Sequence, residues 1–267
     1  MKEVSPSSPG AFAPSGVGGA GYLDLTVHGA RVLVRAWAAE AVREALASGT
    51  LYGWAAAQPA PDLMRGRGIS YGVTLPAGAA TQDATPVVVR RNRHGGVLRF
   101  LTGELFLLPT RAPLELEIAL RLEAAGIATP EVVACAIYPV LGLFGRSDVM
   151  TRRLPAGGDL PDVWRAADAL ARDFLLVSVG SLLRDLAAAG AWHADLNLKN
   201  IYIAGDGRAP QAFLLDVDRV SFPALPDVAR RNFDRLARSA RKWRERWGLD
   251  FDEEALAKLA NLALERT

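Results

Sequence analysis

Two aspartates and an asparagine, Asp195, Asn200 and Asp216, stand at spacings that suit phosphoryl transfer. The first two lie in His193-Ala194-Asp195-Leu196-Asn197-Leu198-Lys199-Asn200; a Gly-Asp-Gly turn follows, then an apolar run, Ala212-Phe213-Leu214-Leu215, that ends at Asp216. Transfer of a phosphoryl group from ATP has three requirements. A carboxylate must hold the acceptor hydroxyl in line and take its proton, oxygen ligands must bind magnesium, and the phosphates must be covered and neutralised. The five-residue step from Asp195 to Asn200 lets one loop present both a base and a metal ligand. A hairpin after it returns the chain so that Asp216 can meet the same magnesium. Carboxylate and amide oxygens are the hard donors that this ion takes. The competing reading makes Asp195 and Asn200 loop-capping polar residues, and the ordered set of pieces disfavours it.

The elements that must carry these residues are legible from periodicity. Residues 1–21 are rich in Ser, Pro, Gly and Ala and read as a flexible tail. From Tyr22 to Val89 the signals are mostly β: Arg31–Arg35 alternates as a strand does, and Pro86–Arg90 is a β-branched run expected to form a central strand. A short helix is expected from Ala36 to Leu46, and a glycine-rich hairpin or loop around Arg65-Gly66-Arg67-Gly68. Thr110–Ala125 reads as a helix ended by Gly126, with strands following at Glu131–Tyr138 and Asp148–Arg153. A hinge is expected at Ala156–Asp159, then one helical stretch from Leu160 to Ala189, and an arginine-rich helical segment from about Asp227. This predicts an α+β chain: a tail (1–21), a β-rich N-terminal lobe (22–155) and a helical C-terminal lobe (156–267) that carries the catalytic loop.

The ordered pattern resembles the catalytic loop and metal-binding strand of the protein-kinase superfamily. The resemblance implies a two-lobed fold with ATP in the cleft, Asp195 as catalytic base, and Asn200 and Asp216 as magnesium ligands. Arg90 stands where such kinases end a strand with a phosphate-holding lysine; arginine keeps the charge and changes the geometry. Its expected partner is Glu115, with Glu117 the alternative. Gly66, Arg67 and Gly68 fit a loop over the phosphates. Asn197 either helps hold phosphate or closes the loop, and His193 reads as a packed structural histidine.

Finer motifs resemble the lipopolysaccharide core kinase family (Kdo/WaaP-type). They are Val89-Arg90 followed by Arg93-His94-Gly95-Gly96, the stretch from Gly126 to Ala134, and Gly142 to Thr151. Leu215-Asp216-Val217-Asp218-Arg219 and, on the last part, Asn232, Arg235, Arg238-Ser239 and Lys242 complete the set over residues 60–245. Within the family the likeness is greater to kinases of Kdo (3-deoxy-D-manno-octulosonic acid) than to heptose kinases. Val217 departs from the usual phenylalanine, and Ala194 and Asp218 depart from the wider kinase pattern in ways that argue against control by loop phosphorylation. The resemblance implies ATP and Mg2+ as cofactors and a Kdo-lipid A type of lipid-linked sugar as acceptor. It implies a cytoplasmic protein working at the cytoplasmic face of the inner membrane.

Composition bounds the alternatives. Half of the 267 residues are hydrophobic, 22% are charged, and the formal net charge is only +2, so the chain can build a core and nothing in its total charge points to nucleic acid. The one cysteine, Cys135, rules out an internal disulfide and a thiolate metal cage. The segment Arg230–Arg246 is either a face for anionic lipid or an ordinary solvated helix. Trp192, Trp243 and Trp247 are expected in core or interfacial packing. No apolar run reaches membrane-spanning length, and no obligate protein partner is evident. Rival readings are another small-molecule or atypical protein kinase of this fold, and a non-catalytic binding module.

Overall fold

The computed structural model describes residues 21–65, 68–78, 83–92, 106–107, 112–141, 143–224 and 226–264. They form two compact units. The first takes the described residues up to Glu117 together with Glu131–Arg153; the second takes Ile118–Pro130 and the described residues from Leu154 onward.

The first unit is built on an antiparallel sheet. In chain order its elements are β1 (Tyr22–Val27), β2 (Ala30–Arg35), α1 (Ala39–Ala47), α2 (Leu51–Ala56), β3 (Asp62–Arg65), β4 (Ile69–Leu75), β5 (Thr85–Arg91) and β6 (Phe106–Leu107). The start of α3 (Ala112–Ala124), β7 (Val132–Val140) and β8 (Phe144–Arg152) complete it. The strands run β1-β2-β7-β8-β5-β4-β3, with β6 also paired to β8. Side chains alternate across a strand, so each strand divides its residues between the two faces. Val32 and Val34 of β2, Val87 and Val89 of β5, Ala134 and Ala136 of β7, and Met150 of β8 form one core with Val42, Leu46 and Leu51 of the covering helices α1 and α2. β7 is buried on both faces from Val132 to Ile137, which explains its unbroken apolar run. Cys135 faces away from α1 and α2. It is 1% exposed, with Sγ 3.8 Å from the Ala112 carbonyl oxygen, and burial pushes its thiol pKa well up.

The second unit holds the rest of α3, β9 (Gly157–Asp159), α4 (Leu160–Ala166), α5 (Ala169–Ala188), β10 (Trp192–His193), β11 (Ile201–Ala204), β12 (Gln211–Leu214), β13 (Val220–Ser221), α6 (Val228–Trp247) and α7 (Glu253–Leu264). Two small sheets, β12-β11-β9 and β10-β13, fix the segments between the helices. The long α5 lies close against α7: a Cβ built on Gly180 would come within 2.7 Å of Leu262 Cβ. Among the described residues no helix is long and apolar enough to cross a membrane.

Three expectations need correction. The stretch from Leu160 to Ala189 is two helices, because Ala167 is extended and Asp168 starts a new helix by accepting from Ala171 N–H at 2.8 Å. Gly157–Asp159 is not a bare hinge but a strand whose backbone pairs with β11. A second helix, α2, stands in the stretch read as mostly β; its start is a Thr50 cap, whose side chain accepts from Gly53 N–H at 3.0 Å.

Candidate active site

In the first unit, strand alternation aims two neighbouring arginines in opposite directions. Arg91 follows Val87 and Val89 toward the α1 and α2 side, where its Nε donates to buried Asp148 at 3.2 Å and its guanidinium lies 4.5 Å from the Tyr52 ring centroid. Burial raises the Asp148 pKa, against the Tyr52 N–H and Arg91, which lower it. Arg90 projects to the other face, toward the first turn of α3. There its Nη2 pairs with Glu115, which is buried, and its Nη1 donates to Asn92 Oδ1 at 3.0 Å. Of the two candidate acids it is Glu115, not the exposed Glu117, that meets Arg90. Gly68 is described at the turn into β4, whereas Gly66 and Arg67 lie outside the described residues, as do Arg93-His94-Gly95-Gly96.

In the second unit, the loop from His193 to Asn200 is anchored by what it buries. His193, Leu196 and Leu198 are sealed in the interior. The Asp195 backbone N–H donates to His193 Nδ1 at 3.1 Å, so the ring proton sits on Nε2, which donates to the Leu215 carbonyl at 3.3 Å. One imidazole therefore ties the residue before Asp216 to the backbone of Asp195. Burial lowers the His193 pKa, opposed by the Leu215 hydrogen bond and the charges of Asp216, Asp195 and Asp218. This fits the structural role expected for that histidine.

Two side-chain amides converge on the Asp195 carbonyl: Asn200 Nδ2 at 2.9 Å and Asn197 Nδ2 at 3.1 Å. Asn197 also accepts from Lys199 N–H at 2.9 Å, so its amide is engaged at both ends inside the loop. Of its two expected roles, closing the loop is the one the geometry favours over holding phosphate. The Leu215 N–H donates to the Asn200 carbonyl at 2.8 Å, one step beyond the Ile201–Leu214 pair of β11 and β12. Asn200 and Asp216 thus share one end of this hairpin. Asp216 adopts a left-handed backbone, φ 54 and ψ 43, a conformation uncommon outside glycine but one that aspartate and asparagine tolerate better than most residues.

These donors suit magnesium. With its amide N–H spent on Asp195, Asn200 keeps Oδ1 as its acceptor, and Asp216 brings a carboxylate-bearing residue to the same end of the hairpin. Magnesium bound with a nucleotide takes one or two such protein oxygens and completes its shell with phosphate and water.

Sequence reasoning underrated one element, α6. Asn232, Arg235 and Ser239 fall at i, i+3 and i+7, which puts them on one helix face. Fully buried Asn232 accepts from His193 N–H at 3.1 Å and donates to the Ala191 carbonyl at 2.8 Å. Arg235 Nη2 donates to Asp195 Oδ1 at 3.0 Å, and Ser239 Oγ accepts from Leu198 N–H at 3.2 Å. The arginine-rich helix is therefore the splint of the loop on this face, not only a charged surface. The spacing 232, 235, 239 was the available signal. Trp243 and Trp247 are not core residues: they line a pocket next to Asp195, and Trp247 is 50% exposed.

Comparison with known proteins adds four findings. A family model described as lipopolysaccharide kinase (Kdo/WaaP) family matches residues 90–255, a span that holds Arg90, Glu115, Asp195, Asn200, Asp216 and the whole of α6. A 3-deoxy-D-manno-octulosonic acid kinase of Haemophilus influenzae (strain KW20 / Rd) is 26% identical over 204 residues, 74% of this chain and 81% of that protein. A protein of the same name from Pasteurella multocida (strain Pm70) is 26% identical over 144 residues, 54% of this chain and 59% of its own length. Among solved structures, WaaP in complex with acyl carrier protein matches with a TM-score of 0.54 at 14% identity, covering 85% of this chain and 87% of that one. That likeness is one of fold: α+β and protein-kinase-like.

Proposed function

The chain belongs to the lipopolysaccharide kinase (Kdo/WaaP) family, and on that premise we propose that it transfers the γ-phosphoryl group of ATP to a hydroxyl of a Kdo sugar in the lipopolysaccharide inner core. It is a kinase, a phosphotransferase whose acceptor is an alcohol. The observation that carries the fuller reading is the bonding around one loop. Asn200 grips the Asp195 carbonyl with its side chain and the strand leading to Asp216 with its backbone, so base and metal donors are set by the same few hydrogen bonds.

In this mechanism Asp195 orients the acceptor hydroxyl and takes its proton as the new oxygen–phosphorus bond forms. The bond from the γ-phosphorus to its bridging oxygen breaks, and that electron pair leaves with ADP. Arg235 holds the Asp195 carboxylate in place. Asn200 Oδ1 and the Asp216 carboxylate would hold magnesium, which when bound neutralises charge on the phosphate oxygens. Arg90 binds phosphate, its guanidinium plane set by Glu115 and Asn92. Gly66, Arg67 and Gly68 cover the phosphates. The acceptor is lipid-linked, so the reaction belongs at the cytoplasmic face of the inner membrane, with peripheral contact to anionic lipid.

The test is transfer of labelled γ-phosphate from ATP with Mg2+ to Kdo-bearing lipid A, run beside a panel of other alcohol acceptors. Asp195→Asn is expected to lower turnover by about a thousandfold while ATP binding changes by less than about twofold. Wild-type turnover in that variant refutes the role of Asp195; transfer to another acceptor in preference to the Kdo lipid refutes the substrate.

A further inference from the structure

Beside Asp195, wholly within the second unit, lies a pocket of about 580 Å³. One wall is the loop at Asp195 and Lys199; the other is a stripe of α6 that carries Arg235, Arg238, Lys242 and Trp243, with Trp247 one turn on. Two of its four cations have acids: Arg235 pairs with Asp195 at 3.0 Å, and Lys199 Nζ lies 3.4 Å from Asp159 Oδ2. Arg238 and Lys242 have no acidic partner among the described residues, and both are exposed. Two like charges four residues apart on a helix repel. Elsewhere the same helix offsets such charge: Arg230 pairs with Asp234 at 3.1 Å, and Arg241 and Arg244 share Glu253 at 2.8 and 3.0 Å. Unmatched positive charge at the pocket is what an anionic ligand would complete. The Trp243 and Trp247 rings, centroids 4.4 Å apart, add an apolar wall with polar N–H edges.

Building on the kinase reading, we propose that this pocket is the acceptor site, in which Arg238 and Lys242 bind anionic groups of a lipid-linked saccharide and the tryptophan pair packs on its C–H face. Helix rise sets the spacing. Arg238 stands about 4.5 Å along the axis from Arg235, and Lys242 about 10 Å, which exceeds a single sugar ring. Arg238 therefore reads a group on the reacting sugar itself, and Lys242 one on the neighbouring unit. The shared chemistry is a carboxylate or phosphate oxygen, for which guanidinium and ammonium are matched donors.

The test is steady-state transfer by wild type, Arg238→Gln and Lys242→Gln on three acceptors: Kdo-bearing lipid A, the same lipid with its sugar carboxylates reduced to alcohols, and the same lipid with its phosphates removed. Each substitution is expected to raise the acceptor KM about tenfold on the native lipid, with a shift of less than about twofold in the KM for ATP. The gap should close on the acceptor that lacks the recognised anion; closure on the reduced lipid assigns a carboxylate, closure on the dephosphorylated lipid a phosphate, and either supports the site. An acceptor KM within about twofold of wild type in both variants, or a gap of equal size on all three lipids, overturns it. If wild type transfers nothing to the native lipid, the Kdo reading fails on its own. The pocket is then judged by tryptophan fluorescence against vesicles of that lipid: quenching lost in both variants upholds it, and no quenching in wild type overturns it.

Discussion

The two members of the Arg90–Glu115 pair are unequal. The Glu115 side chain is 5% exposed and that of Arg90 38%. Arg90→Met takes the ion-pair partner from a buried carboxylate and is expected to destabilise the fold by about 3 kcal/mol. Glu115→Gln leaves a guanidinium that water still reaches, at a cost of about 1 kcal/mol. Urea denaturation of both variants checks the order, and equal losses would contradict it. His193 gives a pH signature with a definite sign. Its folded pKa lies below the ordinary 6.5, so in the window beneath that value the unfolded chain binds the extra proton. Stability should fall as pH drops below about 6.5. Asp148, whose folded pKa is raised, contributes in the opposite sense: its contribution is complete below the ordinary carboxylate value of 3.8 and is lost as pH rises through the raised folded value. His193→Gln should flatten the slope; an unchanged slope assigns the loss to other groups. Asp195, Asn200 and Asp216 were legible in the sequence because their spacing is dictated by a loop and a hairpin. Arg235 was named among the family motifs, but its pairing with Asp195 was not legible, because that partner lies forty residues away and the helix around it is crowded with other arginines.

At the scale of elements, the small sheet that ends at the loop depends on a glycine. A Cβ on Gly157 would sit 1.9 Å from the Ile203 carbonyl oxygen, a backbone atom that cannot rotate away. Gly157→Ala is expected to separate β9 from β11, measured as faster amide exchange at Ile203, whose backbone faces β9, and a lower melting temperature; unchanged exchange there would show that the strand absorbs the methyl. The strands were legible where apolar residues alternate, as in β2, or where β-branched residues run together, as in β5. The strand at Gly157–Asp159 was not, since its pairing comes from backbone approach and glycine reads as a break. The division of α4 from α5 was written in Asp168, a capping residue within an otherwise helical run, and was overlooked because alanine and leucine on both sides favour helix.

For the whole molecule, the α+β architecture holds to a TM-score of 0.54 with a structure only 14% identical in sequence, so the fold tolerates wide replacement of residues. Binding of ATP with Mg2+ to the folded chain alone must stabilise it. At a hundredfold excess over Kd the gain is about 2.7 kcal/mol, visible as a higher melting temperature. Asp216→Asn is the informative variant. Asparagine accepts the left-handed backbone of this position, so the fold should survive while the magnesium-dependent part of the shift disappears. A full shift in that variant would remove Asp216 from the metal site.

The buried Cys135 has a practical consequence. The only thiol of the chain is shut inside the sheet and held protonated, so it should ignore maleimide reagents in the native protein. A cysteine introduced at exposed Arg246, one turn beyond Lys242, would then be the sole reactive handle. A fluorophore there would report lipid arrival at the pocket while Arg238, Lys242 and Cys135 all stay in place.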